Sequence, residues 1–364
     1  MIVLFTGGGT AGHILPNVPV IERLAAAGHE VHYAGSGAAL ERQLLGALPL
    51  QYHVLATGKL RRYLSWENLR DVGRVVRGVI QGYALVRHLR PAVVFSKGGF
   101  VSVPAVLGAA LCGVPVIAHE SDLSPGLANR IANRVARIVC TTFPDTHFGK
   151  LGDTRIHFTG LPVRKALTDG NGARGRQWLG IEPADAVPIL LVMGGSQGSV
   201  RINAFVRGAL TALAARYFVV HLCGRANLDA NVEGHPRYRQ FEFLEAPLGD
   251  VVAAAHCVIS RAGATTLYEL LALRKSVLLV PLTLAQSRGD QLENARWAVA
   301  HGYCRLLEEA DLSLPRATEE LAALSADAAG LTDRLERTFA TGDATTRIAA
   351  LIEEVGAAMN KSTR

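Results

Sequence analysis

A chain of 364 residues is too long for one ordinary core, and about 150 residues per domain implies two. With 49% hydrophobic residues, 37 glycines and 19% charged residues it reads as a compact α/β protein rich in tight turns, which excludes a disordered chain. Five scattered cysteines without a Cys-x-x-Cys pair, and an opening segment without a charged leader, argue for buried thiols in a reducing compartment, while the net charge of +7 asks for an anionic partner.

The apolar run Ile2–Phe5 predicts a buried strand that ends in Gly7-Gly8-Gly9-Thr10-Ala11-Gly12-His13. A helix is expected from Pro16 to Ala27, stopped by Gly28, and Glu30–Ala34 reads as the second strand. Strands at Tyr52–Ala56, Ala92–Ser96, Val114–His119 and Ile138–Thr141, separated by helical stretches, imply right-handed parallel β-α-β units. Among them lies a segment of one charge sign: Lys59, Arg61, Arg62, Arg70, Arg74, Arg77, Arg87 and Arg90 against Glu67 and Asp71, a net +6. Leu60, Tyr63, Leu64, Trp66, Val76, Ile80 and Tyr83 are interleaved with these cations. That mixture suits an anionic membrane surface; the competing reading is a solvated basic helix that turns its apolar stripe inward. No nucleic-acid reading motif accompanies the charge. Residues 101–118 are uncharged and nearly long enough to span a bilayer. Pro104, Gly113 and Pro115 break that run, so a buried helix, a turn and a short strand are expected instead.

Gly160-Leu161-Pro162-Val163-Arg164 ends the first half, and the second repeats the scheme. Strands are expected near Ile189–Met193, Phe218–Cys223, Phe241–Leu244, Cys257–Ser260 and Ser276–Val280. The chain turns helical from Pro315 and finishes in an amphipathic stretch, Thr345–Met359, with a frayed Lys361–Arg364 tail.

A buried strand running into a glycine turn and a helix is an anion site, because N–H groups and the positive helix end face the ligand. The chain has two, residues 7–12 and Gly194-Gly195-Ser196-Gln197-Gly198-Ser199. Gly7-x-Gly9-x-x-Gly12 also fits the dinucleotide fingerprint, but that fold wants an acid closing the second strand. Here Tyr33-Ala34-Gly35-Ser36 offers none, which turns the reading from NAD to another phosphate. His13 beside the turn is either a general base or an imidazole that caps the loop. In Ser260–Glu269 a strand end, a small-residue turn and a helix start follow each other. Glu269 there suits either the two hydroxyls of a ribose or a capping box three residues after Thr266. Asp290, Gln291 and Asn294 suit a sugar. No Asp-x-Asp triplet and no convincing histidine spacing occur, so neither a metal nor another cofactor is expected.

Taken together these blocks resemble the MurG family of peptidoglycan N-acetylglucosaminyltransferases. The likeness rests on Gly7–His13, Ser96-Lys97-Gly98-Gly99-Phe100-Val101-Ser102, His119-Glu120, Gly126–Asn129, Pro162–Arg164, Gly194–Gly198, Ser260–Glu269 and Gln291-x-x-Asn294-Ala295. Lys59–Tyr63 and His119–Asp122 point to one branch of that family. The resemblance implies a GT-B fold, two Rossmann-like doubly wound parallel-sheet domains facing a cleft. Residues 1–163 would form an acceptor and membrane-docking domain and 164–340 a UDP-N-acetylglucosamine domain; 341–364 would pack back on the first. It implies inverting, metal-independent transfer to the 4-hydroxyl of undecaprenyl-diphospho-N-acetylmuramoyl-pentapeptide, a step of peptidoglycan synthesis on which cell wall, cell shape and division depend.

Carried over by motif, the resemblance makes His13 and Asp122 the candidate catalytic residues. Thr10, Ala11, Gly12, Arg164, Ser196, Leu244, Ala264, Thr265, Thr266, Leu267, Tyr268, Glu269 and Gln291 fall on the donor. Gly8, Gly9, Gly98, Gly99 and Asn129 fall on the acceptor diphosphate. Glu269 would take the ribose, Leu244 and Arg164 the uracil, Ser196 the diphosphate and Gln291 the glucosamine hydroxyls. The implied partners are UDP-N-acetylglucosamine, the lipid-linked acceptor, an anionic membrane surface and other cell-wall synthesis proteins, with no nucleic acid; the implied place is peripheral, on the cytoplasmic face of the cell membrane. Three departures stand out: Asp122 where many members have Asn, Ala11 where a glycine is common, and Gly289 where an acid is frequent. The alternatives are a UDP-sugar epimerase, a transferase with another acceptor, and a nucleotide-sugar sensor without turnover.

Overall fold

The structure, a computed structural model, describes residues 1–58, 66–146, 148, 155–195, 197–339 and 343–362, without the side chains of 66–72 and 360–362. It divides into two compact units, Met1–Arg164 with Gly342–Arg364, and Lys165–Thr341.

The first unit is built on seven parallel strands: β1 (Ile2–Thr6), β2 (Glu30–Gly35), β3 (Gln51–Val54), β4 (Val93–Ser96), β5 (Val116–Glu120), β6 (Ile138–Thr141) and β7 (Ile156–Phe158). Their order is β3-β2-β1-β4-β5-β6-β7, so the direction of winding reverses between β1 and β4. Successive side chains of a strand point to opposite faces, and both faces are covered. Val3, Phe5, Val93 and Phe95 meet the helix Asn17–Ala26 through Val20, Ile21 and Leu24. Leu4, Val94, Val116 and Ala118 pack with Ala105, Val106 and Ala109 of the helix Val103–Leu111 on the other side. The closing helix, Ala344–Ser362, brings Ile348, Ile352 and Val355 into the first of these cores. Full burial of each such side chain contributes about 1.5–3 kcal/mol.

The uncharged 101–118 run resolves as a turn, that helix with Pro104 in its first turn, and β5. No helix among the described residues is long and apolar enough to cross a membrane. The basic segment is the helix Trp66–Leu89, preceded by residues 59–65, which lie outside the described residues. It crosses the helix Val103–Leu111 on glycines: a side chain at Gly82 would run into the Pro104 carbonyl, and one at Gly108 into the backbone of Gly82. The buried stripe is thus Gly78, Gly82 and Val86, whereas Val76 and Ile80 are 54% and 63% exposed. The inward-facing alternative for Val76 and Ile80 fails because the close glycine crossing takes the other face of the helix.

The second unit has six parallel strands: β8 (Ile189–Met193), β9 (Phe218–Leu222), β10 (Tyr238–Phe241), β11 (Cys257–Ser260), β12 (Ser276–Leu279) and β13 (Arg305–Leu306). The order β10-β9-β8-β11-β12-β13 again reverses at the first strand, between β8 and β11. Its core runs from Leu190, Val192, Ile259 and Leu278 to Ile202, Val206, Leu321 and Leu324 of the covering helices.

Several details differ from the sequence reading; β5, for one, is Val116–Glu120, not Val114–His119. β3 is Gln51–Val54, not Tyr52–Ala56, because His32 to Gly35 of β2 pair with Gln51 to Val54. β10 is Tyr238–Phe241, not Phe241–Leu244: Tyr238 is the buried member, and Phe243 has no core to enter and is 49% exposed. The short edge strands β7 and β13 carry too few residues for a periodicity to show. The last helix continues to Ser362, past the start of the expected frayed tail.

Candidate functional site

In an open parallel sheet, ligands sit beyond the carboxyl ends of the strands where the winding reverses. In the first unit that place is formed by the turns after β1, β4 and β5. Gly8 and Gly99 touch there: a side chain on Gly99 would run into the Gly8 carbonyl and stand 3.1 Å from the His13 ring. Gly98 and Gly99 have φ of +89° and +78°, a conformation that only glycine adopts without strain. The side chain of Asn129 fills the space beside Gly98, so a residue with a Cβ there would displace it. The structure therefore brings Gly8, Gly9, Gly98, Gly99, Asn129 and His13 together.

His13 ends a single 3-10 turn, Ala11–His13, and its Nδ1 lies 3.2 Å from the Lys97 carbonyl. A carbonyl can only accept, so Nδ1 carries the proton and Nε2 keeps the lone pair. Ala11 is not among the residues with positive φ, so the missing glycine costs the turn nothing. Thr10 is exposed, and Ala11 and Gly12 are half-buried.

Asp122 follows β5 in a turn organised by Glu120, whose Oε1 accepts from the N–H groups of Ser121 (2.8 Å) and Asp122 (3.0 Å). Oε2 of Glu120 accepts from Asn129 Nδ2 at 2.7 Å. Glu120 is 2% exposed, and its burial, with Asp122 adding to it, raises its carboxyl; the Asp122 N–H, Asn129 and Lys97 oppose the rise. Lys97 is 1% exposed, and burial lowers its ammonium while Glu120 and Asp122 hold it up.

Two acids escaped the sequence reading. Glu120 was seen only as part of a motif. Glu41 takes the place of the acid missing from the end of β2. It reaches in from the helix Ala39–Leu45 to accept from Ser36 N (2.7 Å), Ser36 Oγ (2.8 Å) and Tyr52 (2.6 Å). It lies against Gly8, and Tyr33 donates to the Gly7 carbonyl at 2.8 Å from the same side. With its oxygens so occupied, Glu41 supports the glycine turn from beneath. Its only mark in the sequence is an acid six residues past the strand.

In the second unit the corresponding edge is formed by the turns after β8, β11 and β12. The helix Ala264–Ala272 starts from Gly263 without a side-chain cap. Ala264, Thr265 and Thr266 are its first residues, at the positive end of the helix dipole. Glu269 sits one turn further on and is 8% exposed, too deep in the helix for a capping box with Thr266. Leu267 and Tyr268 turn into the core instead of the mouth of the turn. Leu267 is fully buried and its N–H is bonded to the Gly263 carbonyl at 2.9 Å, and Tyr268 packs edge-on against Phe339.

Gln291 accepts from the Leu282 N–H at 3.1 Å, which leaves its NH2 as the group that can donate. Asn294 is fully buried and donates to the Ala262 carbonyl at 3.2 Å, which ties two helix starts together. Asp290 lies 3.5 Å from Arg288. Leu244 stands in the turn beyond β10, half-buried. Arg164 closes the first unit, and Ser196 lies outside the described residues.

One further residue holds this edge together. Arg261, 8% exposed, donates to Ser199 Oγ (2.6 Å), to the carbonyls of Val280 (2.9 Å) and Pro281 (3.1 Å), and to Glu309. Ser199 in turn caps the helix Val200–Gly208 by accepting from Ile202 N. An arginine between a strand end and an Ala-Gly turn was its only mark in the sequence. Among the described residues no group of three or more His, Cys, Asp or Glu is arranged to hold a metal ion.

Comparison with known proteins fits this geometry. Residues 3–141 match the glycosyltransferase family 28 N-terminal domain and residues 189–344 its C-terminal domain. A UDP-N-acetylglucosamine–N-acetylmuramyl-(pentapeptide) pyrophosphoryl-undecaprenol N-acetylglucosamine transferase from Geobacillus kaustophilus (strain HTA426) is 46% identical over 85% of this chain and 87% of its own. The Clostridium kluyveri protein of the same name is 41% identical over 97% of this chain and 99% of its own.

Among solved structures, Acinetobacter baumannii MurG superimposes with a TM-score of 0.72 at 22% identity, covering 97% of this chain and 99% of that one. The calicheamicin glycosyltransferase CalG4 does so equally well, at 0.72 and 17% identity over 97% and 98%. At that identity the likeness establishes the shared two-domain GT-B fold and is blind to the acceptor; the residues decide between them. The chain belongs to glycosyltransferase family 28 and, within it, to the UDP-N-acetylglucosamine–N-acetylmuramyl-(pentapeptide) pyrophosphoryl-undecaprenol N-acetylglucosamine transferases.

Proposed function

We propose that the enzyme moves N-acetylglucosamine from UDP-N-acetylglucosamine to the 4-hydroxyl of undecaprenyl-diphospho-N-acetylmuramoyl-pentapeptide, with inversion and without a metal ion. One observation carries this reading: in the second unit a glycine turn and an uncapped helix N-terminus open on the same edge, with buried Glu269 one turn below. Such an arrangement suits a nucleoside diphosphate, its charge met by N–H groups and helix ends. The names of the relatives supply the sugar and the acceptor.

Glu269 takes the two ribose hydroxyls, Leu244 and Arg164 flank the uracil, and Ala264, Thr265 and Thr266, with Ser196, receive the diphosphate. Gln291 donates to the hexose. In the first unit, Gly8, Gly9, Gly98, Gly99 and Asn129 receive the acceptor's diphosphate. The muramyl 4-hydroxyl then attacks the anomeric carbon from the face opposite UDP. His13 takes the hydroxyl proton at Nε2, and the bond to UDP breaks with its electron pair leaving on the diphosphate.

The test is transfer of radiolabelled N-acetylglucosamine to the lipid-linked muramyl-pentapeptide in excess EDTA. Full activity is expected; activity that EDTA removes and magnesium restores overturns the metal-free step. Turnover of a soluble acceptor in preference to the lipid overturns the acceptor.

The same reading places the enzyme peripherally on the cytoplasmic face of the membrane, docked by the helix Trp66–Leu89. Val76, Ile80 and Tyr83 line its exposed face, with Arg74, Arg77 and Arg87 along the same helix. Each such cation near anionic headgroups contributes about 1 kcal/mol. Sedimentation with liposomes is therefore expected to require anionic lipid and to weaken as salt rises past about 0.15 M. Equal binding to neutral vesicles, or none to either kind, removes the helix from this role.

A further inference from the structure

Lys97 follows β4 directly, in the turn that carries Gly98 and Gly99, and is 1% exposed. A buried ammonium is costly unless paired. Its neighbours are Glu120 and His119 of β5, Asp122 of the turn beyond, and Cys140 of β6. Its Nζ donates to Ser121 Oγ, between the two acids. Its carbonyl holds the His13 ring, and Glu120, the residue before its Ser121 anchor, holds both Asp122 and Asn129.

We propose that Lys97 is a positioning residue of the acceptor site: beneath the two glycine turns, its ammonium keeps the Glu120–Asp122 turn, and through Glu120 the Asn129 amide, in the arrangement that receives the acceptor's diphosphate. This rests on the acceptor assignment proposed above. The physical reason is the three N–H groups aimed at Glu120. The ionised carboxylate accepts them all; once protonated, it adds a donor where acceptors are needed and the turn loosens. Burial already raises that carboxyl, and Lys97 opposes the rise. The positive charge therefore adds to the Asp122 N–H and the Asn129 amide in keeping Glu120 ionised.

Lys97→Met keeps the length and removes the charge. In the full-length enzyme, assayed with the lipid acceptor across pH, it is expected to raise acceptor KM about tenfold and to move the acid limb of kcat/KM up by about one pH unit. The direction follows from the loss of a cation, which favours the protonated carboxyl. Stabilisation by UDP-N-acetylglucosamine should be unchanged. Adding Glu120→Gln removes the titrating group, and the Asn129 Oδ1, buried without a hydrogen-bond partner, can turn to accept from the new amide. The double variant should thus return the acid limb towards the wild-type position, which a purely structural lysine would not do.

Wild-type KM and acid limb in Lys97→Met overturn the proposal, as does a double variant no better than the single one. Should Lys97→Met fail to fold, Ser121→Ala keeps the charge but loses its anchor. It is then expected to raise acceptor KM with the acid limb in place, and wild-type KM would sink the idea. A wild-type enzyme inactive on the lipid acceptor refutes the functional reading instead.

Discussion

Replacing His13 with alanine is expected to lower kcat for transfer about 10²- to 10⁴-fold, the range for loss of a positioned general base. KM for UDP-N-acetylglucosamine should stay within about twofold, since binding common to ground and transition states is untouched. The expectation follows from the ring's anchor: Nδ1 donates to the Lys97 carbonyl, which fixes the tautomer with the basic nitrogen at Nε2. Gly8 and Gly99 keep the backbone around the ring free of side chains. Asp122→Ala is the comparison, because a carboxylate at that position is the rival base. Its loss should cost less than His13→Ala, since the Glu120 turn rather than the reacting hydroxyl is what Asp122 demonstrably serves, through its N–H. Single-turnover rates decide the matter. If His13→Ala retains a tenth or more of wild-type kcat while Asp122→Ala does not, the roles are reversed.

Glu269→Ala should abolish the thermal stabilisation given by UDP-N-acetylglucosamine. A ligand at a hundred times its Kd stabilises by about 2.7 kcal/mol. Two hydrogen bonds from ribose hydroxyls to a carboxylate are each worth about 1.5–3 kcal/mol. Removing both raises Kd at least about a hundredfold, which leaves about 0.4 kcal/mol or less of the shift at that concentration. The site suits this, since Glu269 is nearly buried one turn into the helix whose start the proposed function assigns to the diphosphate. Glu269→Gln preserves the packing and separates lost hydrogen bonding from a damaged helix. An alanine variant that melts at the wild-type temperature in nucleotide sugar, with the full upward shift, would show that the ribose lies elsewhere.

Much of both units was legible because parallel sheets covered on two faces need uninterrupted apolar strands. Ile2–Thr6, Ile189–Met193 and Cys257–Ser260 are such strands, and their sequences show it. Glycine turns at fixed places after those strands marked the two candidate anion sites, and the order of the motifs announced the family. Amphipathic spacing showed that the last helix had a partner. What it joined, the Val3 and Phe5 face of the first sheet, depended on the fold. The site residues that went unrecognised are those whose role depends on what comes near. Glu41, Lys97 and Arg261 look like ordinary surface charges in a sequence, and each is buried. Conversely, Leu267 and Asn294 sit among binding motifs, yet one is core and the other a tether.

Local order was therefore written in the chain itself: strand, turn and helix, the twofold echo and the glycine turns all follow from neighbours in sequence. Tertiary structure alone decided which charges face each other, that the basic helix buries its glycines and exposes Val76 and Ile80, and that Lys97 is buried beside the glycine turns. The reason is that periodicity and turn chemistry act over a few residues. Burial and charge pairing act across β4 and β5, whose residues meet only when the sheet closes.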